Sequence, residues 1–104
     1  MSTPLVLLVD DEPSIQQATS LLLRSRGYAV TVAGTGREAL EYFERDRPSL
    51  VILDLGLPDL DGAVVCEQLR VRTDIPIVVL SVRNDERSKV RALDAGADDY
   101  VTKP

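Results

Sequence analysis

The sequence predicts an α/β fold in which helices cover both faces of a parallel five-stranded sheet. Short apolar runs alternate with longer amphipathic segments along all 104 residues, in the order βαβαβαβαβ. Strands that alternate with helices of about ten residues favour right-handed crossovers and parallel strand pairing. The length suits one domain, and we see no internal repeat, low-complexity stretch or linker.

Five apolar runs mark the predicted strands. Continuous runs of this kind are typical of strands that are buried on both faces of a sheet. The predicted strands are Leu5–Val9, Ala29–Val32, Leu50–Leu53, Pro76–Leu80 and Tyr100–Val101.

Four segments between these runs have apolar residues at helical spacing, which predicts amphipathic helices. Pro13 suits a first helical turn, and Gly27 is well placed to end the same helix. The predicted helices and their apolar positions are Ser14–Arg24 (Ile15, Ala18, Leu21, Leu22), Arg37–Arg45 (Ala39, Leu40, Phe43), a segment opening at Asp61–Gly62 (Val65, Cys66, Leu69) and Asp85–Ala95 (Val90, Leu93).

Composition excludes several classes of protein. With 12 basic and 17 acidic residues the net charge is −5, which is unfavourable for binding nucleic acid directly. The absence of histidine excludes histidine-based acid–base catalysis and histidine-ligated zinc. The single cysteine, Cys66, cannot form an intramolecular disulfide. No export signal or membrane-spanning run is present, so we expect a cytoplasmic protein.

Polar residues follow the predicted strands at the ends where parallel α/β sheets bind ligands. Asp10 and Asp11 follow the first strand, Asp54 follows the third, Ser81 follows the fourth and Lys103 follows the fifth. Carboxylates that meet at one edge repel one another and favour a bound cation. Oxygen ligands without histidine or cysteine suit Mg²⁺, Mn²⁺ or Ca²⁺.

These residue types suit phosphoryl transfer. A carboxylate nucleophile, a divalent metal, a lysine and a hydroxyl together stabilise a phosphoryl group while it is transferred. Asp54 stands alone at the end of a central strand and is the best candidate nucleophile. The adjacent Asp10 and Asp11 are candidate metal ligands, one directly and the other through water.

Four separate segments resemble the receiver domain of two-component response regulators, and the resemblance as a whole runs from Leu5 to Pro104. They are Val9–Glu12 (VDDE), Asp54–Gly62 (DLGLPDLDG), Leu80–Ser81 and Gly96–Pro104 (GADDYVTKP). The last segment resembles the branch with a C-terminal winged-helix DNA-binding domain. Within that branch, Asp54–Asp59 (DLGLPD) and Leu93–Tyr100 (LDAGADDY) resemble the regulators of potassium-uptake operons. The resemblance implies a flavodoxin-like (CheY-like) doubly wound sheet with strand order 2-1-3-4-5.

The resemblance also implies a role for each site residue. Asp54 would accept a phosphoryl group from the phosphohistidine of a sensor histidine kinase. Asp11, Asp54 and the backbone carbonyl of Gly56 would bind Mg²⁺, and Asp10 would act through a metal-bound water. Lys103 would pair with Asp54 at rest and with a phosphoryl oxygen after transfer. Such a domain is not an enzyme beyond its own phosphorylation and dephosphorylation.

A conformational switch is implied by the same resemblance. Ser81 would move toward the phosphoryl group, and Tyr100 would turn into the space that Ser81 leaves. Phosphorylation would then promote a homodimer through a surface that includes Lys89, Leu93 and Asp98.

The family pattern continues past the last residue of this sequence. By resemblance, a fifth helix would follow Lys103–Pro104, so we expect residues 1–104 to form a receiver domain truncated before that helix. A DNA-binding domain would follow in the full protein and would make its contact with DNA. The Lys103–Pro104 peptide bond is cis in relatives, and proline lowers the cost of that isomer to about 0.5–1 kcal/mol.

Three alternatives remain open on the residues. An Mg²⁺-dependent phosphohydrolase would use an aspartate on its first strand, but Asp10–Pro13 does not fit the Asp-x-Asp pattern of that class. A nucleotide- or flavin-binding module would need a Gly- or Ser/Thr-rich phosphate loop where acids stand here. An interaction-only receiver that is never phosphorylated would not need the complete set of site residues.

Overall fold

One parallel sheet runs through the whole of residues 3–103, which are the residues that the computed structural model describes. Its strand order is β2-β1-β3-β4-β5 with every pair parallel, which confirms the predicted order. The strands are β1 Leu5–Val9, β2 Ala29–Ala33, β3 Leu50–Leu53, β4 Ile77–Ser81 and β5 Asp99–Thr102.

Four helices connect the strands within the described residues. Polar side chains cap three of them; for example, the Thr35 side chain accepts a hydrogen bond from the backbone N–H of Glu38 at the start of the second helix. The helices are α1 Pro13–Ser25, α2 Gly36–Asp46, α3 Gly62–Arg70 and α4 Glu86–Asp94. These bounds lie within one or two residues of the predicted ones.

The main hydrophobic core lies between the sheet and helices α2, α3 and α4. Alternate strand residues such as Leu7, Val9 and Leu53 point to this face, where they meet Phe43 of α2 and Leu69 of α3. The apolar faces predicted for α2 and α3 are therefore confirmed, except that Leu40 is only partly buried.

The buried face of α1 differs from the predicted one. Leu21 and Leu22 are 72% and 56% exposed, and Ala18 is exposed as well. Ser20 is the one buried residue of the helix. The helix face that meets the sheet contains Ser20 and the residues three or four positions from it. Leu21 and Leu22 directly follow Ser20 and therefore lie outside this face.

The sheet face on the α1 side is only partly covered. Ile52, Val78 and Leu80 are half-buried there, and Val101 at the edge is exposed. On the opposite face Val51, Ile77 and Val79 are fully buried. The two faces of β3 and β4 are therefore unequally protected from water.

Cys66 is fully buried in the core on α3. Burial raises the pKa of its thiol to about 11, so it stays protonated near neutral pH and acts as a small apolar side chain. None of the described helices is both long and apolar enough to cross a membrane. Pro104, and with it the predicted cis peptide bond, lies outside the described residues.

Candidate functional site

Asp10 and Asp54 lie side by side because β1 and β3 are neighbours in the sheet. Val9 pairs with Leu53, and the backbone N–H of Asp54 donates to the carbonyl of Val9 at 2.9 Å. The residue after each strand is an aspartate, and both are buried, with exposed fractions of 2% for Asp10 and 9% for Asp54. The sheet register thus places two carboxylates together where solvent is scarce.

Lys103 reaches both carboxylates from the end of β5. Its backbone N–H donates to the carbonyl of Ser81 at 2.8 Å, which continues the pairing of β5 with β4. Its Nζ lies 2.6 Å from Asp10 Oδ2 and 3.4 Å from Asp54 Oδ2. Burial alone would lower the pKa of Lys103, but Asp10 and Asp54 outweigh it and leave the pKa above its ordinary value.

A third carboxylate completes a group that can hold a cation. Asp10, Asp11 and Asp54 each offer an oxygen, and these oxygens all lie within 4.8 Å of one another. Asp11 is exposed, so the group opens to solvent on one side. Carboxylate oxygens with room for water fit Mg²⁺, which prefers hard ligands and keeps part of its hydration shell. Gly56 lies beside the group, with its N–H 3.4 Å from Asp54 Oδ1.

The sequence did not indicate how Asp10 is held. Its Oδ1 accepts the backbone N–H of Glu12 at 3.0 Å, and its carbonyl accepts Nε2 of Gln16 at 2.6 Å. Gln16 comes from the first turns of α1, so that helix fixes the turn that carries Asp10 and Asp11.

Ser81 and Tyr100 are connected through the backbone of Arg83. Ser81 is the buried last residue of β4, and its Oγ accepts the N–H of Arg83 at 3.2 Å. The hydroxyl of half-buried Tyr100 donates to the carbonyl of Arg83 at 2.5 Å. The two residues predicted to form the switch therefore hold the same short segment after β4.

The loop between β3 and α3 is attached to its surroundings by two acids. Asp59 accepts the N–H groups of Gly36 and Arg37 at the start of α2, at 2.7 and 3.0 Å, and these bonds lower its pKa. Asp61 caps α3 through the N–H of Ala63 and pairs with Arg91 of α4 at 2.5 Å. The loop that follows Asp54 is thus tied to two helices.

The predicted dimer residues lie on or next to α4. Leu93 is about half exposed, Lys89 is half-buried, and Asp98 is exposed. Asp98 Oδ2 already has partners in its own chain, because Arg70 Nη2 lies at 2.7 Å and the N–H of Ile77 at 2.8 Å. Arg70 also donates to the carbonyls of Gly96 and Ile75. No local sequence pattern indicated this role of Arg70.

Asp98→Asn is expected to lower the free energy of unfolding by about 1 kcal/mol at pH 7, a small value because the pair is half exposed. Hydrogen bonding to Ile77 and the charge of Arg70 lower the pKa of Asp98. Because the pKa of Asp98 is lower in the folded chain, its carboxylate stabilises the fold fully at pH values above the unfolded pKa of 3.8. This stabilisation is lost as the pH falls through the pKa of the folded chain. The deficit of the variant should therefore shrink below about pH 4, as measured by urea unfolding.

Asp74→Asn is a matched control. Asp74 is exposed, and its carboxylate makes no hydrogen bond or ion pair within residues 3–103. Its replacement should leave the unfolding free energy unchanged to within about 0.5 kcal/mol. A pH-independent deficit in Asp98→Asn, or an equal one in the control, would argue against the assigned ion pair.

Comparison with protein families agrees with this geometry. The family model described as "Response regulator receiver domain" matches residues 6–104. The transcriptional regulatory protein KdpE of Mycobacterium tuberculosis is 54% identical over 100 residues, covering 96% of this chain and 44% of KdpE. The sensory transduction protein RegX3 of Mycolicibacterium smegmatis is 48% identical over 99 residues, covering 95% of this chain and 43% of RegX3. The chain thus spans less than half the length of these curated relatives.

Solved structures show the same fold. A CheY-like response regulator receiver domain protein from Methanospirillum hungatei superposes with a TM-score of 0.93 at 32% identity, covering 99% of this chain and 83% of that one. The BeF₃-activated N-terminal receiver domain of Klebsiella pneumoniae RstA gives a TM-score of 0.92 at 31% identity, covering 96% and 87%.

Proposed function

This chain belongs to the response regulator receiver domain family, and from that premise we propose that it is a phosphorylation-dependent switch with Asp54 as phosphoacceptor. The family is one of phosphoacceptor signalling domains and not of classical enzymes. One observation carries the assignment: three carboxylates gather within 4.8 Å, and a buried lysine bonds to two of them. Of these three carboxylates, Asp54 is assigned as the acceptor because it is the single acid directly after the central strand β3, whereas Asp10 and Asp11 are adjacent after β1.

The proposed reaction moves one phosphoryl group from a sensor histidine kinase to this chain. An oxygen of Asp54 attacks phosphorus, the phosphorus–nitrogen bond of the donor phosphohistidine breaks, and an aspartyl phosphate forms. The donor imidazole leaves with the electron pair of the broken bond. Lys103 Nζ, now shared between Asp10 and Asp54, donates to a phosphoryl oxygen in the product.

Asp10, Asp11, Asp54 and the carbonyl of Gly56 are the residues that would hold Mg²⁺, with Asp10 acting through a metal-bound water. When bound, the ion supplies positive charge that offsets the charge of the transferring group. Within the chain, Lys103 partly supplies that charge already, because it lies against two of the three carboxylates.

The segment at Arg83 offers a route from phosphorylation to a change of shape. Ser81 Oγ bonds to the N–H of Arg83 and Tyr100 bonds to its carbonyl. If Ser81 turns to donate to a phosphoryl oxygen, it gives up the N–H of Arg83 and loosens the segment that holds the Tyr100 hydroxyl. A change there is transmitted to α4, and we infer that it promotes a homodimer through Lys89, Leu93 and Asp98.

The effector is proposed to lie in a longer protein. The curated relatives are more than twice as long as this chain, and KdpE is named a transcriptional regulatory protein. We infer a fifth helix and a DNA-binding domain after residue 104, so that DNA is bound by that domain and not by the acidic receiver. The cytoplasm is the proposed location of such a regulator.

Beryllofluoride with Mg²⁺ tests the switch without a kinase, since it mimics an aspartyl phosphate. We expect the wild-type chain to shift from monomer to dimer, measured by sedimentation velocity. Asp54→Asn removes the anionic acceptor and should remain monomeric under the same conditions.

Asp99→Asn is the matched control, because Asp99 is an exposed neighbour of the proposed surface. Within residues 3–103, its carboxylate accepts a hydrogen bond only from the N–H of Tyr100. It should dimerise like the wild type. Identical sedimentation of the wild type and Asp54→Asn in beryllofluoride would refute the proposed switch.

A further inference from the structure

A cleft between the N-terminal ends of α3 and α4 is lined by three arginines, although the chain as a whole is acidic. They are Arg83, Arg87 and Arg91, and the volume of the cleft is about 100 Å³. Arg87 and Arg91 are one helical turn apart and share a face of α4. Like charges at this spacing repel, so the arrangement costs stability unless something offsets it.

The chain neutralises only part of this charge. Arg91 pairs with Asp61 at 2.5 Å, whereas neither Arg83 nor Arg87 has an ion-pair partner in the described part of the chain. The nearby Asp85 carboxylate is occupied by the N–H and hydroxyl of Ser88. The charged residues that line the cleft are these three arginines and Asp61, so its lining carries a net charge of +2.

The shape of the cleft suits a small anion. Leu55 and Ala63 form apolar parts of the wall, and the volume has room for several water molecules, hence for one tetrahedral oxyanion. Guanidinium groups match the oxygens of such an anion with paired N–H donors. A protein segment or nucleic acid would need a longer basic surface than this cleft offers.

We propose that this cleft is a binding site for the phosphate group of a small molecule, separate from Asp54 and held by Arg83, Arg87 and Arg91. The site adjoins the phosphoacceptor because Leu55 directly follows Asp54. Arg83 also belongs to the segment held by Ser81 and Tyr100. The proposal does not rest on phosphorylation of Asp54.

Inorganic phosphate at constant ionic strength is the probe, with arginine Nε–Hε signals followed by NMR. We expect saturable chemical-shift changes at the three cleft arginines. The Kd should be on the order of 1 mM, because a net charge of +2 at an exposed site gives only weak binding. Sulfate, a dianion of the same shape that cannot phosphorylate a carboxylate, should bind as well. Asp54→Asn should bind phosphate at least as tightly as the wild type, because it removes a nearby negative charge.

Arg87→Gln should weaken phosphate binding by about fivefold or more, the loss expected from one charge-assisted contact. Arg26→Gln is the control, since Arg26 is exposed at the end of α1 on the opposite side of the sheet and should not alter the Kd. Linear shifts of equal size in the signals of Arg26 and Arg87 would show non-specific anion binding only and overturn the proposal. Loss of binding in Asp54→Asn would overturn it too, by assigning the anion to the phosphoacceptor site.

Discussion

Replacing Gly62 with alanine is expected to lower the free energy of unfolding by about 3 kcal/mol, because the added methyl group meets backbone that cannot move aside. A Cβ at this position would lie 2.5 Å from the carbonyl oxygen of Asp54 and 2.5 Å from Cα of Leu55. The start of α3 and the backbone of Asp54 and Leu55 must therefore move apart. Urea unfolding measures the loss.

Gly56→Ala is the control in the same loop. Gly56 is exposed, and a Cβ there would meet nothing within 4 Å. Its replacement should change the unfolding free energy by less than about 0.5 kcal/mol. Equal urea midpoints for Gly62→Ala and Gly56→Ala would contradict the close approach of α3 to the end of β3.

Lys103→Met is expected to lower stability at pH 7 by about 3 kcal/mol, because it leaves two buried carboxylates beside each other without their cation. The pKa of Lys103 is raised in the folded chain, so its contribution is complete below 10.5 and is lost only at more alkaline pH. The deficit of the variant should therefore be present across the neutral range. Thermal and urea unfolding both measure it.

A second substitution separates charge from packing. In Lys103→Met with Asp10→Asn one of the two uncompensated carboxylates is gone, so part of the lost stability should return. Mg²⁺ should likewise stabilise Lys103→Met more than the wild type, since the ion replaces the missing charge. The charge balance assigned to this site would be contradicted if Lys103→Met were as stable as the wild type. It would also be contradicted if the double variant were less stable than Lys103→Met.

The sequence predicted the centre of the site because parallel strands bring their carboxyl ends to one edge. Asp10, Asp54 and Lys103 are far apart in the chain, yet each directly follows a strand, and strand order alone makes them neighbours. Local patterns also predicted the helices to within one or two residues, since capping residues such as Asp61 and Asp85 bond to N–H groups only two or three residues further on.

Features set by tertiary packing were not predictable in the same way. Leu21 and Leu22 are as apolar as core residues, and only the direction from which α1 meets the sheet leaves them exposed. The partner of Asp98 is Arg70, 28 residues earlier, and no local pattern joins them. The three arginines of the cleft are spread over nine residues, and only the position of α3 opposite them forms a cleft.

Phosphoryl transfer to Asp54 is the most direct test of the central claim. The chain is incubated with Mg²⁺ and acetyl phosphate, and the intact mass is measured by mass spectrometry. We expect the wild type and Asp94→Asn, which changes an exposed carboxylate at the end of α4, to gain the mass of one phosphoryl group, and Asp54→Asn to gain none. An unmodified wild type, or equal modification of Asp54→Asn, would contradict the account.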